Sequence, residues 1–360
     1  MIQFRENTVV WDLLRMIALC GEFPVYSTGL IGNRRECRKR ICQMQTEQTY
    51  RNSRTGEKLT VRALTVSSNG RLKTVRLTRN GAELLKWTGD YATYADRFMT
   101  GYFKSDKEHI DRNHRIAETA AVFMRAGFHV ESDRNADMTQ SDDAVFYLPH
   151  IFKSSGYETD RKSLYTRITG GFRTPFDCFT VYNTRNRAMI WYGNSETKSA
   201  LLLGEKAGLE VTGSIMLGRD YATGLRTAFN TESAGSRTRF YEMHRRLYFI
   251  PLDTNGIELL RLVAQRDFSE RVLELMFDPG TRAYDRGTFN YHARIRGVYV
   301  YSFLDSDLKG LINYRNGIHS DYQTEILCYD FQTDFVNEYF SGTGTRITRV
   351  PFDAVKNNLS

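Results

Sequence analysis

The sequence predicts an α/β chain (α+β overall) in which a small helix-and-hairpin domain precedes a larger α/β domain. Three observations carry that prediction. The first 90 residues run from helical patterns into a two-stranded pattern, strand-then-helix units recur from residue 247 onward, and the excess charge sits at one end. Residues 1–90 hold 4 Lys and 12 Arg against 6 Glu and 2 Asp, a net +8, while the other 270 residues hold 34 basic and 34 acidic side chains. Charge concentrated in one small domain is the electrostatic footprint expected of a nucleic-acid-binding module.

The bulk properties narrow the class. A chain of 360 residues exceeds one small core, so two or three domains are expected. With 41% apolar and 13% aromatic residues it can fill them, which argues against wholesale disorder. No run approaches 18 apolar residues, so no membrane helix is expected. Arg5 and Glu6 put charge at the start, unlike a secretory leader. The five cysteines (Cys20, Cys37, Cys42, Cys178, Cys328) are scattered and form no Cys-x-x-Cys pair. That suits a reducing, cytoplasmic setting and offers no zinc site.

In the N-terminal domain, Val10, Leu13, Leu14 and Ile17 fall at helical spacing on one face. Asn7 or Thr8 can cap this helix and Gly21 ends it. A short second helix is expected from Tyr26 to Leu30, with Gly32-Asn33 as the turn. The third helix starts at Arg34 and is read as continuing toward Tyr50. On its wheel Cys37, Ile41 and Met44 share one side, while Arg35, Lys39 and Thr46 point the other way with Arg38 and Gln43 at the flanks. Long cations can reach phosphates and guanine edges in a major groove, and an amide can pair with adenine. Leu59–Val66 and Leu72–Leu77 then read as two strands around the turn Ser67-Ser68-Asn69-Gly70. Arg71 and Lys73 flank that turn, where a wing touches the backbone or minor groove. The string Leu77-Thr78-Arg79-Asn80-Gly81-Ala82-Glu83-Leu84-Leu85 leads back into a helix. Three helices, a hairpin and a helix resemble the winged helix-turn-helix domains of bacterial regulators and mobile-element proteins. The expected DNA-binding set is therefore Arg34, Arg35, Arg38, Lys39, Gln43, Thr46, Arg71 and Lys73. A solvated helix face, or a winged helix that docks protein, would show the same pattern.

Beyond residue 90, residues 91–111 read as a linker and 112–360 as an α/β domain, with a further division near 235 left open. A helical pattern at Arg112–Ala126 places Ile116, Ala120 and Phe123 together, and strands are expected at Ala144–Leu148, Phe179–Tyr182 and Ala188–Tyr192. Three strand-then-helix units follow: Leu247–Leu252 into Leu259 and Leu260, Val298–Leu304 into Leu308 and Leu311, and Ile326–Tyr329 into Phe335 and Tyr339. This alternation favours a largely parallel sheet. Asp253, Asp305 and Asp330 at the strand ends read as helix caps in preference to metal ligands.

One motif suggests chemistry. Pro175-Phe176-Asp177 precedes Glu196-Thr197-Lys198 by 19 residues, resembling the signature of restriction-endonuclease-like nucleases. There two carboxylates hold Mg²⁺ and a lysine helps activate water. Asp177, Glu196 and Lys198 are the candidate catalytic residues, and Asp177, Glu196 and Glu118 the candidate Mg²⁺ ligands. Gly193-Asn194-Ser195 breaks the apolar run before Glu196, against the buried strand such a site requires.

A broader resemblance spans residues 8–205. After the winged-helix pattern come a helix from near His114 into Ala126-Gly127, then Arg167-Ile168-Thr169-Gly170-Gly171, Pro175-Phe176-Asp177, Val181-Tyr182-Asn183, Trp191 and Glu196. This series resembles the replication-relaxation family of Gram-positive plasmids and integrative conjugative elements. The resemblance implies a DNA-binding protein of a mobile genetic element acting in plasmid replication, conjugative transfer or transcription, with a nuclease-like fold that need not cut.

Other classes are disfavoured. The chain has no G-x-x-x-x-G-K-[ST] string, no His-x-His pair, no His/Cys cluster and no Gly-rich dinucleotide loop. The expected function is sequence-specific binding of double-stranded DNA, with no cofactor, no membrane, a homodimer on two-fold sites, and a protein partner for the C-terminal domain. The alternatives are a Mg²⁺-dependent nuclease and a protein-interaction factor or inhibitor using the basic surface.

Overall fold

The chain opens with a short strand, β1 (Ile2–Phe4), and then helix α1 (Val9–Cys20). Thr8 caps α1 by accepting a hydrogen bond from the Trp11 amide, and Gly21, at φ 78°, stops it. Val10, Leu13, Leu14 and Ile17 are buried, as their spacing requires. The structure, a computed structural model, describes residues 1–88, 107–133, 136–139, 142–152, 166–232, 237–283 and 289–359. It divides into two units, Met1–Ala136 with Val145–Ser154, and Asp137–Ala144 with Ser155–Ser360. It contains both helices and mixed sheets, an α/β fold overall.

In the first unit β2 (Phe23–Pro24) leads into a 3-10 turn, Val25–Leu30, and then helix α2 (Arg34–Met44). The Asn33 side chain caps α2, accepting from the Arg35 and Glu36 amides at 3.0 and 3.1 Å. This helix ends at Met44 and does not continue to Tyr50. Past it the chain forms β3 (Gln48–Asn52), which pairs in parallel with β1 and antiparallel with β4 (Lys58–Val61). The ladder to β1, with Tyr50 fully buried, outcompetes the helical pattern there. The expected strand 59–66 is likewise two strands, because Leu59 and Val61 belong to β4 and Leu64 opens β5 (Leu64–Asn69). β5 turns tightly into β6 (Leu72–Leu77), and β6 pairs back with β2, giving the order β2-β6-β5.

The Leu-Thr-x-x-Gly string has a local cause. Thr78 Oγ1 donates to the Arg62 carbonyl and accepts from the Gly81 amide at 2.8 Å, starting α3 (Arg79–Ala82). A Cβ on Gly81 would land on the Ala63 carbonyl oxygen and lie 2.7 Å from Ala63 Cα. Backbone cannot swing aside as a side chain can, so Gly81→Ala is expected to cost about 2–3 kcal/mol. Chemical denaturation read by circular dichroism checks this.

The next described helix, α4 (Lys107–Arg125), belongs to the first unit and packs on α1. The linker expected at 91–111 lies partly outside the described residues, and residues 107–111 are the start of α4. The boundary therefore falls beyond α4 instead of at residue 90. Polar contacts explain why. Glu22, fully buried, accepts from Arg76 Nε at 2.8 Å and from Asn113 of α4 at 2.8 Å. His114 Nε2 hydrogen-bonds Thr74 Oγ1 of β6 at 2.8 Å, and Ser27 donates to Glu118. Strands β7 (His129–Glu131) and β8 (Val145–Tyr147) pair in parallel after α4.

Burial holds the His114 imidazole down to about 4, with the Arg76 charge adding to the effect and Asp111 opposing it. The folded state thus stays unprotonated where an unfolded chain, near 6.5, takes the proton. Stability from this group is intact above about pH 6.5 and is lost as pH falls toward 4, by up to about 3 kcal/mol. His114→Gln should flatten the pH dependence of thermal unfolding across that window, and an unchanged slope would mean that another group titrates.

In the second unit β9 (Gly170–Arg173) pairs antiparallel with β10 (Cys178–Arg185). Helix α5 (Gly193–Ala207) leads to β11 (Val211–Gly218), and α6 (Tyr221–Phe229) to β12 (Leu247–Pro251). β10, β11 and β12 are parallel neighbours. The expected strand Ala188–Tyr192 is irregular: Met189 N donates to Thr227 Oγ1 at 3.0 Å and Trp191 Nε1 to the Asn230 carbonyl at 2.9 Å. After α7 (Thr254–Val263) and α8 (Phe268–Met276), a second sheet takes the order β13 (Ala293–Ile295), β14 (Val298–Ser302), β15 (Thr324–Tyr329), β16 (Arg346–Val350). β14, β15 and β16 are parallel, joined through α9 (Leu308–Asn316) and α10 (Thr333–Tyr339), and α11 (Phe352–Leu359) ends the described chain. The three strand-then-helix units are all present. Strands β9 to β16 all fall in one unit, with no division near 235.

Candidate nucleic-acid interface

Helix α2 is amphipathic in the way the wheel requires. Cys37, Ile41 and Met44 are buried, and Arg34, Arg35, Arg38 and Lys39 are exposed. Among the described residues none of those four side chains forms an ion pair or hydrogen bond. Glu36 is taken by Arg40 at 2.6 Å, so the helix's own carboxylate does not neutralise them. The Asn33 cap matters here, because it fixes where the helix begins and which residues face outward.

Gln43 and Thr46 are placed differently from their wheel positions. The Gln43 side-chain Oε1 accepts from Arg40 Nη1 at 3.1 Å, and the residue is half-buried. Thr46 lies beyond the C-cap Gln45, donates to the Gln43 carbonyl at 2.9 Å and accepts from Gln48 at 3.0 Å. Both are tied into the helix end because the helix stops at Met44. Arg71 and Lys73 sit exposed at the tip of the β5–β6 hairpin, where Asn69 pairs with Leu72 and Gly70 takes φ 57°. The two-residue turn is therefore Gly70-Arg71, one step past the expected Ser67–Gly70 because Ser67, Ser68 and Asn69 pair within β5, and glycine at its first central position takes the left-handed φ without strain. Arg51 and Lys58, exposed on β3 and β4, lie between the expected helix end at Tyr50 and the expected strand start at Leu59, where no pattern in the sequence marks them.

The nuclease motif is not assembled. Glu196 lies in the first turn of α5, not on a strand, and Lys198 two residues on is exposed. The Glu196 carboxylate is buried and accepts from Thr166 Oγ1 at 2.6 Å, the Arg167 amide at 2.7 Å and the Tyr182 phenol. It borders a cavity of about 150 Å³ with Thr180, Ser214 and His244. Asp177 lies in the turn before β10, its amide bonded to Thr174 Oγ1 at 2.9 Å, and borders a different cavity of about 460 Å³ with Arg246 and Tyr248. Glu118 belongs to the first unit and takes the Ser27 hydroxyl. Among the described residues no three His, Cys, Asp or Glu side chains converge as a metal site. The Gly-Asn-Ser segment before Glu196 starts a helix where the motif needs a strand.

Of the strand-end aspartates, Asp253 caps α7 through the Gly256 amide at 3.0 Å. Asp307, not Asp305, caps α9. Asp305 instead accepts from the Asp307 amide at 3.1 Å, and burial with the neighbouring Asp307 charge pushes its carboxyl up to about 6. Asp330 begins a 3-10 turn whose amide at Tyr329 is taken by the Gln332 side chain.

No protein-family model, curated protein or solved structure matches the chain. Its functional reading rests on these residues and their geometry. No helix among the described residues is long and apolar enough to cross a membrane.

Proposed function

We propose that this chain is a sequence-specific double-stranded DNA-binding protein whose first unit is a winged helix-turn-helix, with α2 as the reading helix and the β5–β6 hairpin as the wing. The observation that carries the proposal is the row of four exposed, unpaired cations on α2 above a buried Cys37–Ile41–Met44 face. A strand-paired hairpin with Arg71 and Lys73 at its tip adds the second contact such a module uses. Arg34, Arg35 and Lys39 hold phosphates, and Arg38 is the residue best suited to a guanine edge. As part of this proposal, the motif series across residues 8–205 that resembles the replication-relaxation family suggests a mobile-element setting, in replication, transfer or transcriptional control.

Fluorescence anisotropy on labelled duplexes tiling the DNA upstream of the chain's own gene tests this, at three salt concentrations with excess random competitor. One fragment bound well above the rest is the expected result. Uniform, strongly salt-dependent binding would leave charge without readout, and no binding would end the proposal.

A further inference from the structure

The β3–β4 hairpin, inserted between the reading helix and the wing, carries a charge arrangement that its own fold does not explain. Alternation puts Tyr50, Asn52 and Val61 inward and buried, with Leu59 half-buried beside them. The opposite face shows Thr49, Arg51, Lys58 and Thr60, and Arg62, the residue after β4, is exposed beside it in sequence. Register makes two cross-strand pairs on that face. Thr49 faces Thr60, their hydroxyls 2.9 Å apart, and Arg51 faces Lys58 directly.

Like charges opposite one another in an antiparallel pair weaken the pairing. Arg51, Lys58 and Arg62 make no ion pair among the described residues. The nearby carboxylates do not relieve them: Glu57 accepts from the Trp87 indole at 2.8 Å, and Glu47 is exposed ahead of β3. Arg54 adds a further exposed cation in the loop between the strands. A cationic pair beside a hydroxyl pair matches an anionic, hydrogen-bond-accepting partner that spans several ångströms, as consecutive phosphates of one nucleic-acid strand do.

We propose that the outward face of the β3–β4 hairpin is a second phosphate-backbone contact, with Arg51, Lys58 and Arg62 neutralising phosphates outside the segment read by α2. This rests on the DNA-binding reading above and deepens it. The face contributes affinity and salt dependence without sequence preference, since it offers only charge and hydroxyls.

The test compares full-length wild type, Arg51→Gln/Lys58→Gln and Arg35→Ala/Lys39→Ala by anisotropy on a labelled mixed-sequence 30-bp duplex over a salt series. The hairpin variant should lower the salt slope by about 1.8 and weaken binding at least about tenfold at low salt. Its thermal midpoint should stay unchanged or rise, because a repulsive pair has been removed. Arg51→Glu, which sets opposite charges across the strands, should unfold later and bind more weakly still. An unchanged slope in the hairpin variant alongside a lowered slope in the α2 variant overturns this proposal and leaves the DNA-binding reading standing. No duplex binding by the wild type overturns both.

Discussion

Replacing Arg35 and Lys39 together with alanine should weaken binding to every duplex and lower the slope of log affinity against log salt by about 1.8. Each phosphate neutralised contributes about 0.9 to that slope through released counterions. The effect is large because both side chains are exposed and hold no competing partner among the described residues, so each is available to a phosphate without first breaking an ion pair. It should also leave stability nearly untouched, since neither residue packs: the buried side of α2 is Cys37, Ile41 and Met44. Arg38→Ala should behave differently. A cation that reads a base edge costs about 1–3 kcal/mol on the preferred fragment and little on random duplex. A salt slope that does not move in the Arg35/Lys39 variant would remove α2 as the DNA-facing helix.

Glu22→Ala should be the most damaging single change to the first unit, costing about 3–5 kcal/mol. Its carboxylate is fully buried and accepts from Arg76 at 2.8 and 2.5 Å and from Asn113 at 2.8 Å. Removing it takes a charged acceptor away from the Arg76 guanidinium and the Asn113 amide at the junction of β6 and α4. A shift in the denaturation midpoint with an unchanged m-value checks this. Glu22→Gln keeps the volume but loses the charge and one acceptor, so it should fall between wild type and alanine. An alanine variant as stable as wild type would show that the Glu22 contacts to Arg76 and Asn113 are not what holds α4 in place. Loss of DNA affinity in Glu22→Ala should follow only from unfolding, and should vanish at temperatures where the variant is folded.

Much of the local structure was legible in the sequence because its determinants are local. Thr8 and Asp253 cap helices as expected, and Asn33, expected only as part of a turn, caps α2 in the same way. The string Ser67-Ser68-Asn69-Gly70 and the flanking strand pattern located the β5–β6 hairpin to within a residue or so of its Gly70-Arg71 turn, and the three strand-then-helix units of the second unit were visible in the residue pattern. The exposed cations of α2 followed from helical periodicity, with Cys37, Ile41 and Met44 marking the apolar side. The errors share one cause, which is competition by distant partners. Thr46–Tyr50 has a tolerable helical pattern, yet β1 offers Tyr50 a parallel ladder and complete burial. Ala188–Tyr192 is apolar enough for a strand, yet side-chain bonds to Thr227 and Asn230 hold it irregular.

The candidate nuclease set shows the same limit more sharply. Spacing of 19 residues between Asp177 and Glu196 is a statement about chain length, and a metal site requires carboxylates that converge in space. Glu196 is spent on Thr166, Arg167 and Tyr182, while Asp177 borders another cavity. Conversely, the Arg51–Lys58 juxtaposition exists only through strand register, which no one-dimensional pattern at those positions displays.

By itself the sequence determined the α/β class, the concentration of positive charge in the first 90 residues, and which side of α2 is apolar, since periodicity, capping and composition act within a few residues. Only the tertiary structure decided where α2 stops, that α4 belongs with the first unit through Glu22, Thr74 and Ser27, and which charges face each other. Those outcomes depend on burial and pairing between segments up to 91 residues apart, where the free energy of one contact is set by what the rest of the fold brings beside it.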